Sequence, residues 1–149
     1  MQQVLTSHTK IDSAGELDFV RAFGLNLILK DGDFQHADLK KFRVRYQSCI
    51  KKLNLNGKFI IDKMPQNFLF LPLILSAFPE AKIIFMSRNQ NAVRWSNLRQ
   101  NYHGTGLGFT NDLESLDSYL AEFNALRRLL AQKKMANVRG RGVVSTIVS

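Results

Sequence analysis

The sequence predicts an α/β fold with a small parallel sheet flanked by helices, on three observations. Two short apolar runs, 58–62 and 81–86, sit after turn-forming residues and read as buried strands. The segment between them, 68–78, is apolar on nearly every side and ends at Pro79, as a buried helix does. Downstream, Leu116, Tyr119, Leu120, Phe123, Leu126, Leu129 and Leu130 recur at helical spacing and mark a long amphipathic helix.

In chain order, 16–23 reads as a short helix opened by the turn Ser13, Ala14, Gly15. Segment 37–53 reads as a basic amphipathic helix with Leu39, Phe42, Tyr46, Ile50 and Leu53 on one side. Asn54, Leu55, Asn56 and Gly57 form a turn before the first strand. Strand 58–62, helix 68–78 and strand 81–86 make a βαβ unit, and its strands are expected to be parallel. A helix over 91–101 leaves the second strand, and three glycines between 102 and 110 give a loop. Asn111 or Asp112 caps the long helix, with Glu114 in its first turn. The tail, 138–149, starts with helix-breaking glycines and then has strand character, either as a third strand or as a frayed end.

The chain has 149 residues, 45% hydrophobic and 22% charged, a balance that is globular rather than disordered. With 21 Lys plus Arg against 12 Asp plus Glu, its net charge of +9 points to an anionic partner without naming one. Its longest apolar stretch, 68–78, contains Pro72 and is too short to span a bilayer. The first residues lack a basic patch followed by an apolar core, so the default expectation is a cytoplasmic protein. Cys49 is the sole cysteine, and His8, His36 and His103 have no metal-ligand spacing, so no metal is expected. Lys40, Lys41, Arg43, Arg45, Lys51 and Lys52 read as a solvated helix face.

Two candidate cations stand at strand ends. Ligands of parallel sheets bind beyond the carboxyl ends of strands. Arg88 ends the second strand, and its guanidinium can hold a phosphate through paired hydrogen bonds. Ser96, eight residues on, can add a hydroxyl to the same anion. Lys63 ends the first strand and points to the same edge. Glu16 is either a general base or a carboxylate in a helix's first turn. Trp95 is expected to pack in the core.

Four segments occur in a telling order. They are Ala-Gly-Glu-Leu at 14–17, Asp-Lys-Met-Pro-Gln-Asn-Phe-Leu-Phe-Leu at 62–71, Phe-Pro-Glu-Ala-Lys-Ile-Ile-Phe-Met-Ser-Arg-Asn at 78–89, and Asn-Asp-Leu-Glu-Ser-Leu-Asp-Ser-Tyr at 111–119. Together they resemble the bacterial sulfotransferase family associated with tetratricopeptide repeats and related to protein-tyrosine sulfotransferases. The resemblance covers about 5–135. It implies a P-loop-like α/β fold and 3′-phosphoadenosine 5′-phosphosulfate as sulfuryl donor, with a hydroxyl acceptor such as peptide tyrosine. It assigns Arg88 and Ser96 to the donor's 3′-phosphate and Lys63 to the charge on the transferred group. Glu16 becomes the base that deprotonates the acceptor.

The chain departs from the family pattern in three places. Arg88-Asn89-Gln90 stands where Arg-Asp-Pro is usual, and Ala92 replaces a later Asp. No Gly-Pro-Arg-Ser-Gly-Thr-Thr-like turn, whose amides would cradle the 5′-phosphosulfate, occurs in 1–14. The segment 138–149 lacks an Arg-Tyr-Glu-Asp-Leu-like pattern. Residues 1–137 are therefore expected to form a partial sulfotransferase domain, with 138–149 an atypical tail and activity weak or absent. The alternatives are a non-catalytic nucleotide- or protein-binding domain and, ranked last, a small basic nucleic-acid binder.

Overall fold

The structure, a computed structural model, describes residues 2–29, 34–86, 89–100, 110, 112–132, 138–139 and 142–148. Elements follow in the order α1 (Gln2–Thr6), β1 (Ile11–Gly15), α2 (Phe19–Ile28), α3 (His36–Lys51), β2 (Phe59–Asp62) and a 3-10 helix (Pro65–Phe70). Then come α4 (Leu71–Ala77), β3 (Lys82–Met86), α5 (Gln90–Gln100), α6 (Leu113–Gln132), β4 (Val138–Arg139) and β5 (Gly142–Val148). The chain divides into two compact units, residues 1–85 with 139–149, and residues 86–138. The α/β class is as expected, with a parallel strand pair and flanking helices.

The strands form one sheet in the order β1-β2-β5-β3-β4. This corrects the expected βαβ pair: β2 and β3 share the sheet, but β5 lies between them. The parallel partner of β2 is β1, and β5 runs antiparallel to β2, pairing Ile60 with Val148 and Asp62 with Thr146. Of the two readings of the tail, the strand is the one formed. Its β-branched run supplies backbone donors and acceptors to both neighbours, a placement that local spacing does not encode.

Strand β1 corrects the turn expected at Ser13, Ala14 and Gly15. Its residues are all half-buried rather than alternating, so periodicity carries no signal. Pairing is reinforced at its start, where Asp12 Oδ2 accepts the Asn56 and Gly57 N–H groups, both at 2.7 Å. That carboxylate fastens the turn before β2 to β1. The short helix expected at 16–23 is α2, shifted to Phe19–Ile28.

The core of the first unit follows the apolar patterning. Phe42 and Tyr46 on α3 are buried one turn apart, and both meet the Phe78 ring edge-on, at centroid separations of 6.1 and 5.3 Å. Each such buried side chain stabilises by about 1.5–3 kcal/mol relative to exposure. The segment expected as a single helix over 68–78 begins earlier, because Pro65 opens a 3-10 turn that passes into α4. Leu71, Leu73 and Ile74 of α4 are buried. Helix α2 packs close because position 24 is glycine. A Cβ there would lie 2.6 Å from Leu73 Cδ2 and 3.4 Å from both the Phe42 and Phe70 rings.

The expected solvated face of α3 is partly engaged. Lys40 and Lys41 are exposed, but the Arg43 guanidinium donates to the Ala77 carbonyl at 2.8 Å and pairs with Glu80. It also lies 4.9 Å over the Phe78 ring. These contacts hold Glu80 below the usual carboxylate range.

In the second unit, Asp112 Oδ1 accepts the Ser115 N–H at 2.8 Å and caps α6, with Glu114 in the first turn, as expected. Arg94 on α5 pairs with Asp117 on α6.

Candidate functional site

The carboxyl ends of β1 and β2 lie side by side. Their register runs Ile11 to Phe59, Asp12 to Ile60 and Ser13 to Ile61, then slips so that Gly15 faces Asp62. The slip leaves Ala14 as an extra residue and turns the chain at Gly15, whose φ of +76° favours glycine. Beyond it, the Lys63 N–H donates to the Gly15 carbonyl at 2.8 Å. That bond extends the ladder and sets Glu16 beside Lys63. Their side chains form an ion pair, although 47 positions separate them in sequence.

Both members of the pair reach the surface, with 29% of the Lys63 side chain and 51% of the Glu16 side chain exposed. Such a pair contributes at most about 1 kcal/mol to stability. Its chemistry is more informative than its energy. A carboxylate stands against an ammonium beyond the carboxyl ends of two parallel strands, the edge where parallel sheets bind ligands. The structure therefore brings together Glu16 and Lys63, which come from separate motifs.

Directly behind Lys63 is a polar pair that the sequence reading missed. Asp62, the last residue of β2, is fully buried, and its Oδ2 accepts the Tyr46 hydroxyl at 2.9 Å. Burial pushes the Asp62 carboxyl up to about 6, against the easing effect of the Tyr46 hydroxyl, the Leu17 N–H and the Asn67 side chain. Neither of the last two closes a hydrogen bond of regular geometry on Oδ1, which is left without a partner, as is Asn67 Nδ2. Burial and the neighbouring Asp62 also raise the Tyr46 hydroxyl. Tyr46 was legible as a core residue and Asp62 as a strand end. No spacing linked them, because Tyr46 and Asp62 meet only in the fold.

Arg88 lies outside the described residues, as do residue 101 of the expected helix and residues 102–109 of the expected loop, His103 included. Ser96 is described, on α5 in the second unit, and is exposed. The start of α5 shows how the missing Asp-Pro is accommodated: Asn89 Oδ1 accepts the N–H groups of Asn91 at 2.9 Å and Ala92 at 3.2 Å. Trp95 corrects the expectation of core packing, since it is 69% exposed. It lines an open depression of about 470 Å³ with Ala92, Ser96, Arg99 and Gln100. Indole and guanidinium on one helix face were visible in the sequence only as i, i+4 spacing.

Among the described residues, no three His, Cys, Asp or Glu side chains gather to hold a metal ion. His8 Nδ1 instead accepts the Lys10 N–H at 3.1 Å. No helix among the described residues is long and apolar enough to cross a membrane.

The parallel strand ends and the Lys63 and Glu16 pair give an α/β domain with a cation and a carboxylate at the ligand-binding edge of its sheet. Residues 1–144 match the description "Sulfotransferase family", and the chain belongs to that family. It is 35% identical to an uncharacterized protein of Aquifex aeolicus (strain VF5), over 84% of this chain and 18% of that protein. The chain thus spans about a fifth of the length of this relative. No solved structure matches it.

Proposed function

We propose that the chain moves a sulfuryl group from 3′-phosphoadenosine 5′-phosphosulfate to a hydroxyl acceptor, with peptide tyrosine one acceptor the family resemblance allows. The observation that carries this reading is the meeting of Glu16 and Lys63 at adjacent carboxyl ends of two parallel strands. When bound, the donor supplies the sulfuryl group and a phosphate leaving group. Glu16 takes the acceptor's hydroxyl proton as the new O–S bond forms. Lys63 sits where its ammonium can offset the electron pair left on the phosphate oxygen as the old S–O bond breaks. Arg88 and Ser96 hold the 3′-phosphate, one by paired hydrogen bonds and the other through its hydroxyl. Cationic and hydroxyl side chains suit a multiply charged donor, and the +9 net charge favours its approach.

A sulfuryl-transfer assay on the full chain tests the reading. Lys63→Ala should lower turnover by about 100-fold or more, the weight of one charge-stabilising group. Turnover unchanged in Lys63→Ala and Glu16→Gln would overturn the assignment. The departure at Arg88-Asn89-Gln90 favours a second reading, a domain that binds adenosine 3′,5′-bisphosphate without catalysis. Calorimetric binding that is lost in Arg88→Ala, with no turnover, would support that reading over the first.

A further inference from the structure

We infer that Asp62 is a positioning residue of this site, a buried clasp that holds Glu16 against Lys63. Its effect on turnover rests on the transfer reading above, whereas its geometry rests on the fold alone. Asp62 is the last residue of β2, and Lys63 leaves directly from it. Its backbone is held on both sides, opposite Gly15 of β1 and Thr146 of β5. Gly15 is the residue before Glu16, and its carbonyl accepts the Lys63 N–H at 2.8 Å. Glu16 and Lys63 therefore leave the sheet from one cross-strand pair, Gly15 with Asp62.

Backbone pairing does not fix what comes after it. Gly15 has a φ of +76° and no side chain to restrict its rotation, so the chain beyond needs a second hold. The Asp62 carboxylate is placed to give one. Its Oδ2 accepts the Tyr46 hydroxyl at 2.9 Å, which ties it to α3. The Leu17 N–H, the first donor past Glu16, eases the same carboxylate, so it stands close by. Glu16 is thus bracketed by two residues, Gly15 and Leu17, that both answer to Asp62. Asn67 of the 3-10 helix, 1% exposed, joins the cluster.

The needs of the fold do not explain a carboxyl here. Burial disfavours its charged form, and Asp62 Oδ1 and Asn67 Nδ2 lack partners. Well-packed apolar side chains often serve a core as well as buried charges or better. A costly polar cluster directly behind two reactive side chains is instead the mark of a site whose geometry is being held.

The test uses the full chain and sulfuryl transfer from 3′-phosphoadenosine 5′-phosphosulfate to a tyrosine peptide. Asp62→Asn keeps an oxygen for the Tyr46 hydroxyl but offers only one, so its amide cannot hold the Leu17 N–H as well. Its kcat should fall by about 10–100-fold, the effect of a displacement of about 1 Å, with the donor's KM within about threefold of wild type. Tyr46→Phe keeps the carboxylate and should lose less. Gly24→Ala, a packing change in α2, is the control: it should lose stability and keep its kcat per folded chain. Wild-type kcat in Asp62→Asn, or an equal loss in Gly24→Ala, overturns the positioning role while the transfer reading stands. Absence of transfer by the unmodified chain overturns the transfer reading instead. NMR then decides the clasp: Asp62→Asn should speed exchange of the Lys63 N–H about tenfold and remove the cross-peaks between the Glu16 and Lys63 side chains. Unchanged exchange and cross-peaks overturn it.

Discussion

Asp62→Asn removes the one fully buried carboxyl among the described residues while keeping an oxygen that can accept the Tyr46 hydroxyl. Burial moves that carboxyl from 3.8 to about 6. The move corresponds to about 3 kcal/mol held against the charged form in the folded chain. Because the folded value lies above the unfolded one, the folded chain binds the proton more tightly. This contribution is therefore full below about pH 4 and is lost as pH rises to about 6. Asp62→Asn has no such proton to lose. Denaturant unfolding of both chains from pH 4 to pH 8 should show their stability gap moving by about 3 kcal/mol in the variant's favour, with most of the change between pH 4 and 6.5. Glu80 and Asp112, whose carboxyls are held low, are present in both chains and cancel in the difference. Tyr46→Phe removes a bond that favours the charged form, so its own crossover should shift to higher pH. A gap between wild type and Asp62→Asn that stays flat within about 0.5 kcal/mol across the range would refute the reasoning.

Three other changes follow from the packing. Gly15→Ala should cost about 1–2 kcal/mol in unfolding measurements from its positive φ alone, since a Cβ there meets nothing within 4 Å. It should also loosen the Lys63 and Glu16 arrangement, read as a lower Lys63→Ala sensitivity of transfer. Gly24→Ala should destabilise by about 1–3 kcal/mol, because its Cβ drives into Leu73; a thermal midpoint equal to wild type would show that α2 can retreat freely. Arg43→Ala loses the Ala77 carbonyl bond and the Phe78 ring contact, together about 1–2 kcal/mol, with little added by the half-exposed ion pair. In the same variant the Glu80 carboxyl should titrate nearer its ordinary range, measurable by NMR.

Helices were the legible part of the fold, because their apolar residues repeat within a few positions. The faces of α3 and α6 and the caps of α6 appear directly in the spacing of Phe42, Tyr46, Leu116 and Asp112. Strands were legible only where both sides were apolar, as in β2 and β3. Strand β1, with Asp12 and Ser13 inside it, exists because β2 and the Asn56 turn pair with it, and β5 exists by pairing across the chain. The same division holds for the site. Glu16 and Lys63 could be picked out by motif, but their contact depends on a slip in strand register at Ala14, which sequence periodicity does not express. Trp95 was misjudged because a large aromatic on a helix usually packs inward, and α5 leaves it outside.

The place of β5 between β2 and β3 has a consequence for synthesis. Gly142 follows Asp62 by 80 positions, so at about 5–20 residues per second the ribosome needs about 4–16 s to reach the strand that occupies this gap. Until then the β2 edge presents unpaired N–H and C=O groups to any other extended chain nearby. A nascent chain stalled before Gly142 should bind a holdase chaperone, and one stalled well beyond Val148 should release it. Strand β5 closes the middle of the sheet long after β2 is made, so it acts as a late checkpoint on the first unit.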